Sequence, residues 1–182
     1  MKALIIVDML NDFCHGKLAN PRAQAITGSL KRLLEHARED GWVVVFSNDA
    51  HAPEDPEMRI WGEHAMAGDP GADVIEELAP REGEIISEKC HYGAFDDTGL
   101  DEQLRERGVG EVVITGQHTH ICVRHSSYGA LIRGYEITIP RDAVCGFEGV
   151  DENDALEYLT ATYGATVTTV DELVGAPAPV SA

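Results

Sequence analysis

Short apolar runs recur along the chain, and segments with helical spacing separate most of them. The runs are Ala3–Val7, Trp42–Phe46, Glu84–Ile86, Glu111–Ile114, Glu136–Ile139 and Thr166–Val170. A strand with one wet face alternates apolar and polar residues, and a strand covered on both faces need not. Most of these runs lack that alternation. They predict about six strands in a mostly parallel sheet with helices on both faces, a three-layer αβα fold.

The intervening segments fit that reading. In the predicted helix Arg22–Asp40, Ile26, Leu30, Leu33, Leu34 and Ala37 share one stripe, and Gly41 ends it. Further helices are predicted over Leu100–Arg107, Cys122–Arg133 and Asn153–Tyr163. The 182 residues suit a single domain spanning 1–182. Residues 175–182, with Ala176-Pro177-Ala178-Pro179, are expected to be a frayed tail. The stretch Asn48–Gly83 has little periodicity, and a loop of that length is often functional.

Charge narrows the choice of partners. With 32 acidic against 14 basic residues, the net charge of −18 argues against nucleic acid and against anionic membrane. Only Lys2, Lys17, Lys31 and Lys89 are lysines. Such an acid-rich, lysine-poor surface fits either a protein adapted to strong salt or an ordinary mildly acidic one. No apolar run approaches a membrane span. The first ten residues, MKALIIVDML, are interrupted by Asp8 and lack a small-residue cleavage site, so they predict a strand and a cytoplasmic protein. Cys14, Cys90, Cys122 and Cys145 form no CxxC pair and are expected to be free thiols.

In open α/β sheets the ligand crevice lies beyond the carboxyl ends of the strands. Asp8 follows the first run, Asp49 and His51 the second, Lys89 the third, and Cys122 the fourth after a short loop. Taken singly, each has an ordinary explanation: a cap, a solvated charge, a packed thiol. Together they would put a carboxylate, an ammonium and a thiol at one sheet edge. Lys89 could then stabilise a thiolate, and Asp8 could take the thiol proton and return it to a leaving amine. A helix starting at Cys122 would lower the thiol pKa further and offer backbone N–H groups to an oxyanion.

The segments DMLNDF (Asp8–Phe13), EKCHYGAF (Glu88–Phe95) and TGQHTHICV (Thr115–Val123) resemble the isochorismatase-like cysteine hydrolases, in the same order along nearly the whole chain. The resemblance implies the same αβα fold and an amidase triad at Asp8, Lys89 and Cys122. Relatives that hydrolyse isochorismate lack this cysteine, so Cys122 implies amide hydrolysis through a thioester. The resemblance also implies a cis peptide at Gln117–His118, an oxyanion hole from the backbone N–H groups of His118 and Cys122, and a homo-oligomer.

Asp49-x-His51 with His64 thirteen residues on is a weak metal pattern by spacing alone, because loop histidines are common. Two imidazoles and a carboxylate would suit Zn, Mn or Fe(II). The nicotinamidase branch, which the chain resembles here, implies a divalent metal at Asp49, His51 and His64, most simply Zn, and an aromatic sandwich from Phe13 and Trp61. Two departures bear on the substrate: Trp61-Gly62-Glu63-His64-Ala65 replaces Trp-Pro-x-His-Cys, and His118 stands where nicotinamidases have a small residue. The expected activity is nicotinamide hydrolysis. The alternatives are an amidase for a ureido or carbamoyl compound, or a silent binding protein of the same fold.

Overall fold

The computed structural model describes residues 1–175, and the expected tail from 176 onward lies outside the described residues. Seven strands form one sheet: β1 Lys2–Val7, β2 Val43–Asp49, β3 Ile85–Lys89, β4 Glu111–Gln117, β5 Glu136–Pro140, β6 Val144–Cys145 and β7 Thr166–Thr168. Their order is β3-β2-β1-β4-β5-β7, with β6 paired to β4, and every pairing is parallel. The helices are α1 Asn11–Cys14, α2 Pro21–Glu39, α3 Met58–Trp61, α4 Leu100–Glu106, α5 Arg124–Ile132, α6 Glu152–Tyr163 and α7 Val170–Val174.

Alternate residues of one strand feed two cores. Ala3, Ile5 and Val7 of β1 face α4, α5 and α6 through Leu104, Ala130 and Leu156. Leu4 and Ile6 face the other side, where α2 presents the stripe Ile26, Leu30, Leu33, Leu34 and Ala37. Both faces of β1 are therefore dry, which is why the run carries no polar alternation. The edge strand β3 does alternate buried and exposed residues, with Ile86 open to solvent. Helix α2 starts where Asn20 caps it, accepting from the N–H of Arg22 at 3.1 Å, with Pro21 in the first turn.

The architecture matches the sequence reading, and the boundaries differ in an informative way. The sheet has seven strands rather than six, because the two-residue β6 is too short for any pattern. The strands β2 and β4 run on to Asp49 and Gln117, so their last residues are polar but still strand. The third strand is Ile85–Lys89 rather than Glu84–Ile86, and the last ends at Thr168 rather than Val170. Polar residues that serve the site end the hydrophobic pattern before they end the hydrogen-bonded ladder. Cys122 does not begin a helix either: it lies inside a π-helical turn, Thr119–Val123, that leads into α5.

Candidate active site

Register brings the site together. Asp49 and Lys89 are neighbours across β2 and β3, and Val7, just before Asp8, lies opposite Ser47 and Gly116. Asp8 takes a left-handed backbone, φ 52°, and its N–H donates to the Ser47 carbonyl at 3.0 Å. Gly116 allows the close approach of β4 to β1: a Cβ there would lie 2.1 Å from the carbonyl oxygen of Val7. The Gln117–His118 peptide is cis.

Asp8, Lys89 and Cys122 meet at the carboxyl end of the sheet, all buried. The Lys89 ammonium donates to Asp8 Oδ2 at 2.8 Å and also to Asp49 Oδ1. The N–H of Asp49 donates to the other Asp8 oxygen at 2.9 Å. Atoms of Asp8, Asp49 and Cys122 lie within 4.8 Å of one another. Burial pushes the Asp8 carboxyl up to about 6, with help from the charge of Asp49 and against the pull of Lys89. Burial alone would lower Lys89, but Asp49, Asp8 and Cys122 together hold it well above the ordinary lysine range.

The thiol corrects one expectation. The sequence reading had Lys89 and a helix terminus lowering the Cys122 pKa. Burial instead pushes it well above the ordinary thiol range; Lys89 opposes, and Asp8 and Asp49 add to the rise. The resting pair is a thiol beside a carboxylate, with an ammonium bridging two carboxylates.

A second group lies alongside. Asp49, His51, Glu57 and His64 place one ligand-type atom each within 4.8 Å of the others, all buried. The orientations suit a cation. His64 Nδ1 donates to the Gly62 carbonyl at 2.7 Å, which leaves Nε2 with its lone pair. His51 Nδ1 is held by Asp55 at 3.0 Å, and its buried Nε2, which makes no hydrogen bond, faces Asp49 Oδ2 at 3.5 Å and Glu57 Oε2 at 3.9 Å. An orphaned imidazole nitrogen among three ligand-type neighbours, with its other nitrogen on a carboxylate, is the pattern of a metal-binding histidine. Burial lowers His51, but Asp49, Asp55 and Glu57 raise it to about 9; burial and Asp49 raise Glu57 to about 7. These acids would favour a divalent cation in the same space.

The pocket over the thiol, a cavity of about 20 Å³, is lined by Phe13, Leu18, Asp49, Glu57, Trp61, His64, Tyr92 and Cys122. Trp61 Nε1 donates to the Tyr92 hydroxyl at 3.2 Å. His118 lies behind Phe13, edge to face at 5.7 Å between centroids, and stacks on Phe147 at 3.9 Å. All eight predicted site residues other than His118 therefore contribute side chains to the triad, the ligand group or the pocket. Glu57, Asp55, Phe147 and Asp12 were not singled out by sequence. Glu57 and Asp55 sit among loop acids that nothing in the sequence distinguishes. Asp12 lay within a quoted motif; its carboxylate accepts the Ala65 N–H at 2.9 Å, beside His64.

The family model of the Isochorismatase domain matches residues 2–172. The chain is 44% identical to N-carbamoylsarcosine amidase from Thermoplasma acidophilum, with a TM-score of 0.90 over 96% of this chain and 99% of that one. It is 34% identical over 174 residues to the nicotinamidase/pyrazinamidase of Mycobacterium tuberculosis, covering 86% of this chain and 93% of the relative. The pyrazinamidase of Pyrococcus horikoshii, solved in complex with zinc, superposes with a TM-score of 0.85 at 32% identity, over 92% of this chain and 98% of that one. Among the described residues no helix is long and apolar enough to cross a membrane.

Proposed function

The chain belongs to the isochorismatase family, and from that premise we propose that it is a cysteine-dependent amidase releasing ammonia from a small amide, with nicotinamide as the leading substrate. The observation that carries the reading is the buried contact of Cys122 with Asp8, beside a Lys89 paired to two carboxylates. Asp8, with a pKa of about 6, is largely a carboxylate at neutral pH and so can accept a proton.

In this scheme Asp8 takes the Cys122 proton as sulfur bonds to the amide carbonyl carbon. The carbonyl electron pair moves onto oxygen, which the backbone N–H groups of His118 and Cys122 hold. The oxyanion collapses, the C–N bond breaks, and Asp8 returns its proton to the departing nitrogen, giving ammonia. Water then attacks the thioester while Asp8 takes one of its protons. The C–S bond breaks, the acid leaves, and the thiol regains its proton from Asp8. Throughout, Lys89 stays an ammonium and fixes the Asp8 carboxylate. Phe13 and Trp61 hold a flat ring over the thiol.

Asp49, His51, Glu57 and His64 would hold one divalent cation, Zn in the simplest case, with Fe or Mn also compatible with a donor set of two nitrogens and two oxygens. When bound, such a cation supplies a Lewis-acid point for a substrate nitrogen lone pair. Support comes from the unpartnered Nε2 of His51 and from the zinc complex of the Pyrococcus relative.

A second reading has its own observations. The 44% identity is to an amidase of a carbamoyl compound, and His118 replaces the small residue expected of a nicotinamidase. A panel of nicotinamide, pyrazinamide and N-carbamoyl amino acids, scored by ammonia release, decides between the readings. Turnover of nicotinamide at least about tenfold above the carbamoyl compounds supports the first; the reverse order selects the second. Elemental analysis of the purified protein tests the cation: no Zn, Fe or Mn, with His51→Ala fully active, would remove it.

A further inference from the structure

Cys122 is almost sealed. It is 4% exposed, Lys89 3% and Asp8 0%, and the cavity above the thiol, about 20 Å³, is far smaller than the ~300–1,000 Å³ usual for ligand sites. Something must move before an amide can reach the sulfur. Three grooves share lining residues with the pocket, one of them only the buried Asp49. A shallow groove lined by Leu18, Ala19, Asn20, Pro21, Phe147 and Glu148 shares Leu18 with it. On another side, a groove with Ile60, Cys90 and His91 shares Glu57 and Tyr92.

Phe147 lines the Leu18 groove and meets the pocket through Trp61, and the residues between pocket and grooves differ in how they are held. Tyr92 is tied by its hydroxyl to Trp61 and packs on His125 at 5.3 Å between ring centroids. Glu57 belongs to the ligand group. Leu18 is anchored by its N–H to the Asp12 carbonyl at 2.9 Å and packs with Leu10, Phe13 and Ala65. The Phe147 side chain is held by ring packing alone, with His118 at 3.9 Å and Trp61 and His120 at 5.5 Å each, while its carbonyl accepts the Val150 N–H at 3.1 Å. It lies in the loop between β6 and α6, with Gly146 before it and Gly149, φ 89°, two residues after. The backbone there is tied, Gly146 donating to Glu152 at 2.8 Å and accepting from Asn20 at 3.2 Å, so the half-buried ring can turn on its own side-chain bonds while the loop stays, and it is the cheapest of these groups to displace.

We infer that Phe147 is the gate through which substrate reaches Cys122, and that its bulk limits the accepted amides to those with compact tails. When the ring leaves the His118 face, the pocket and the Leu18 groove become continuous. Amides with extended tails, such as N-carbamoyl amino acids with large side chains, then have room. The size limit rests on the amidase reading; the access route does not.

Alkylation separates the two. Full-length wild type, Phe147→Ala, Phe147→Leu and Tyr92→Ala are each treated with iodoacetamide and with a pyrene maleimide, and Cys122 modification is followed by peptide mass spectrometry. Opening the gate raises the maleimide-to-iodoacetamide rate ratio at Cys122 at least about tenfold in Phe147→Ala. Phe147→Leu gives a smaller rise, and labelling of the exposed-side Cys90 stays unchanged. Should Phe147→Ala fold poorly, Cys14 and Cys145 would label as well, and Phe147→Leu decides. An unchanged ratio in the leucine variant, or a rise confined to Tyr92→Ala, overturns the inference. For turnover, Phe147→Ala should raise kcat/KM for long-tailed carbamoyl amides relative to the compact substrate. If no protein in the series releases ammonia from any amide, the amidase reading fails while the alkylation result still stands.

Discussion

The buried carboxylate of Asp12 accepts the backbone N–H of Ala65 at 2.9 Å, across 53 residues of chain. Ala65 follows His64 and takes a left-handed backbone, φ 41°. Asp12 thus fixes the loop that presents His64. Gly71 packs so close that a Cβ there would come within 2.4 Å of the same carboxylate.

Asp12→Ala should therefore loosen the ligand group without touching the triad. The orphaned N–H costs about 1–3 kcal/mol of stability. Metal affinity falls about 10–100-fold, the range for losing an outer orienting partner. Urea melts and a Zn titration check both. Unchanged affinity would show that the His64 loop holds its shape without Asp12.

Lys89 bridges two buried carboxylates, so Lys89→Met leaves Asp8 and Asp49 facing each other without a cation. Breaking a buried pair in this way costs about 3–5 kcal/mol. The Asp8 carboxyl then rises further. Activity should fall at least about 100-fold, and the acid limb of the pH–rate profile should move to higher pH. An unmoved limb in a folded variant would separate Lys89 from the control of Asp8.

Acid stability should carry the mark of His118. Burial depresses its pKa from 6.5 to about 3, with His120 adding to the effect. Above pH 6.5 both folded and unfolded states are neutral at this site. Below it the unfolded state gains a proton that the folded state refuses. Stability is thus lost as pH falls from about 6.5 toward 3, by up to about 1.4 kcal/mol per pH unit. His118→Asn removes that share of the slope. Equal slopes for wild type and variant, from urea melts between pH 7 and 4, would contradict it.

The −18 charge leads to a salt experiment. If the surface is adapted to strong salt, the melting temperature rises from low to molar KCl as repulsion is screened. A steady fall over that range would favour the ordinary acidic surface.

Most of the sheet and much of the site were legible because the fold puts chemistry where hydrophobic patterning stops. Asp8, Asp49, His51 and Lys89 end or follow strands, so a search of strand ends finds them. Glu57 and Asp55 were invisible for a physical reason: they come from a loop rich in acids, and only the folded chain shows which ones are buried against His51. Phe147 was missed because it follows β6, a two-residue strand with no pattern of its own. The extent of β2 and β4 was underestimated because Ser47, Asn48, Thr115 and Gln117 are polar yet buried in the ladder. Gln117 shows what such residues do: its amide donates to the Asp8 carbonyl at 3.0 Å, and its oxygen accepts from Asn20 at 3.2 Å. The high thiol pKa follows from burial, which the position of Cys122 in the chain does not disclose.

The central claim is that Cys122 becomes acylated during turnover. Acid-quenched wild type, mixed with excess of the best amide from the panel, should gain the mass of the acyl group, mapped to Cys122. Cys122→Ala should gain no mass and should release no ammonia above background. Ammonia release by Cys122→Ala at the wild-type rate would contradict the account.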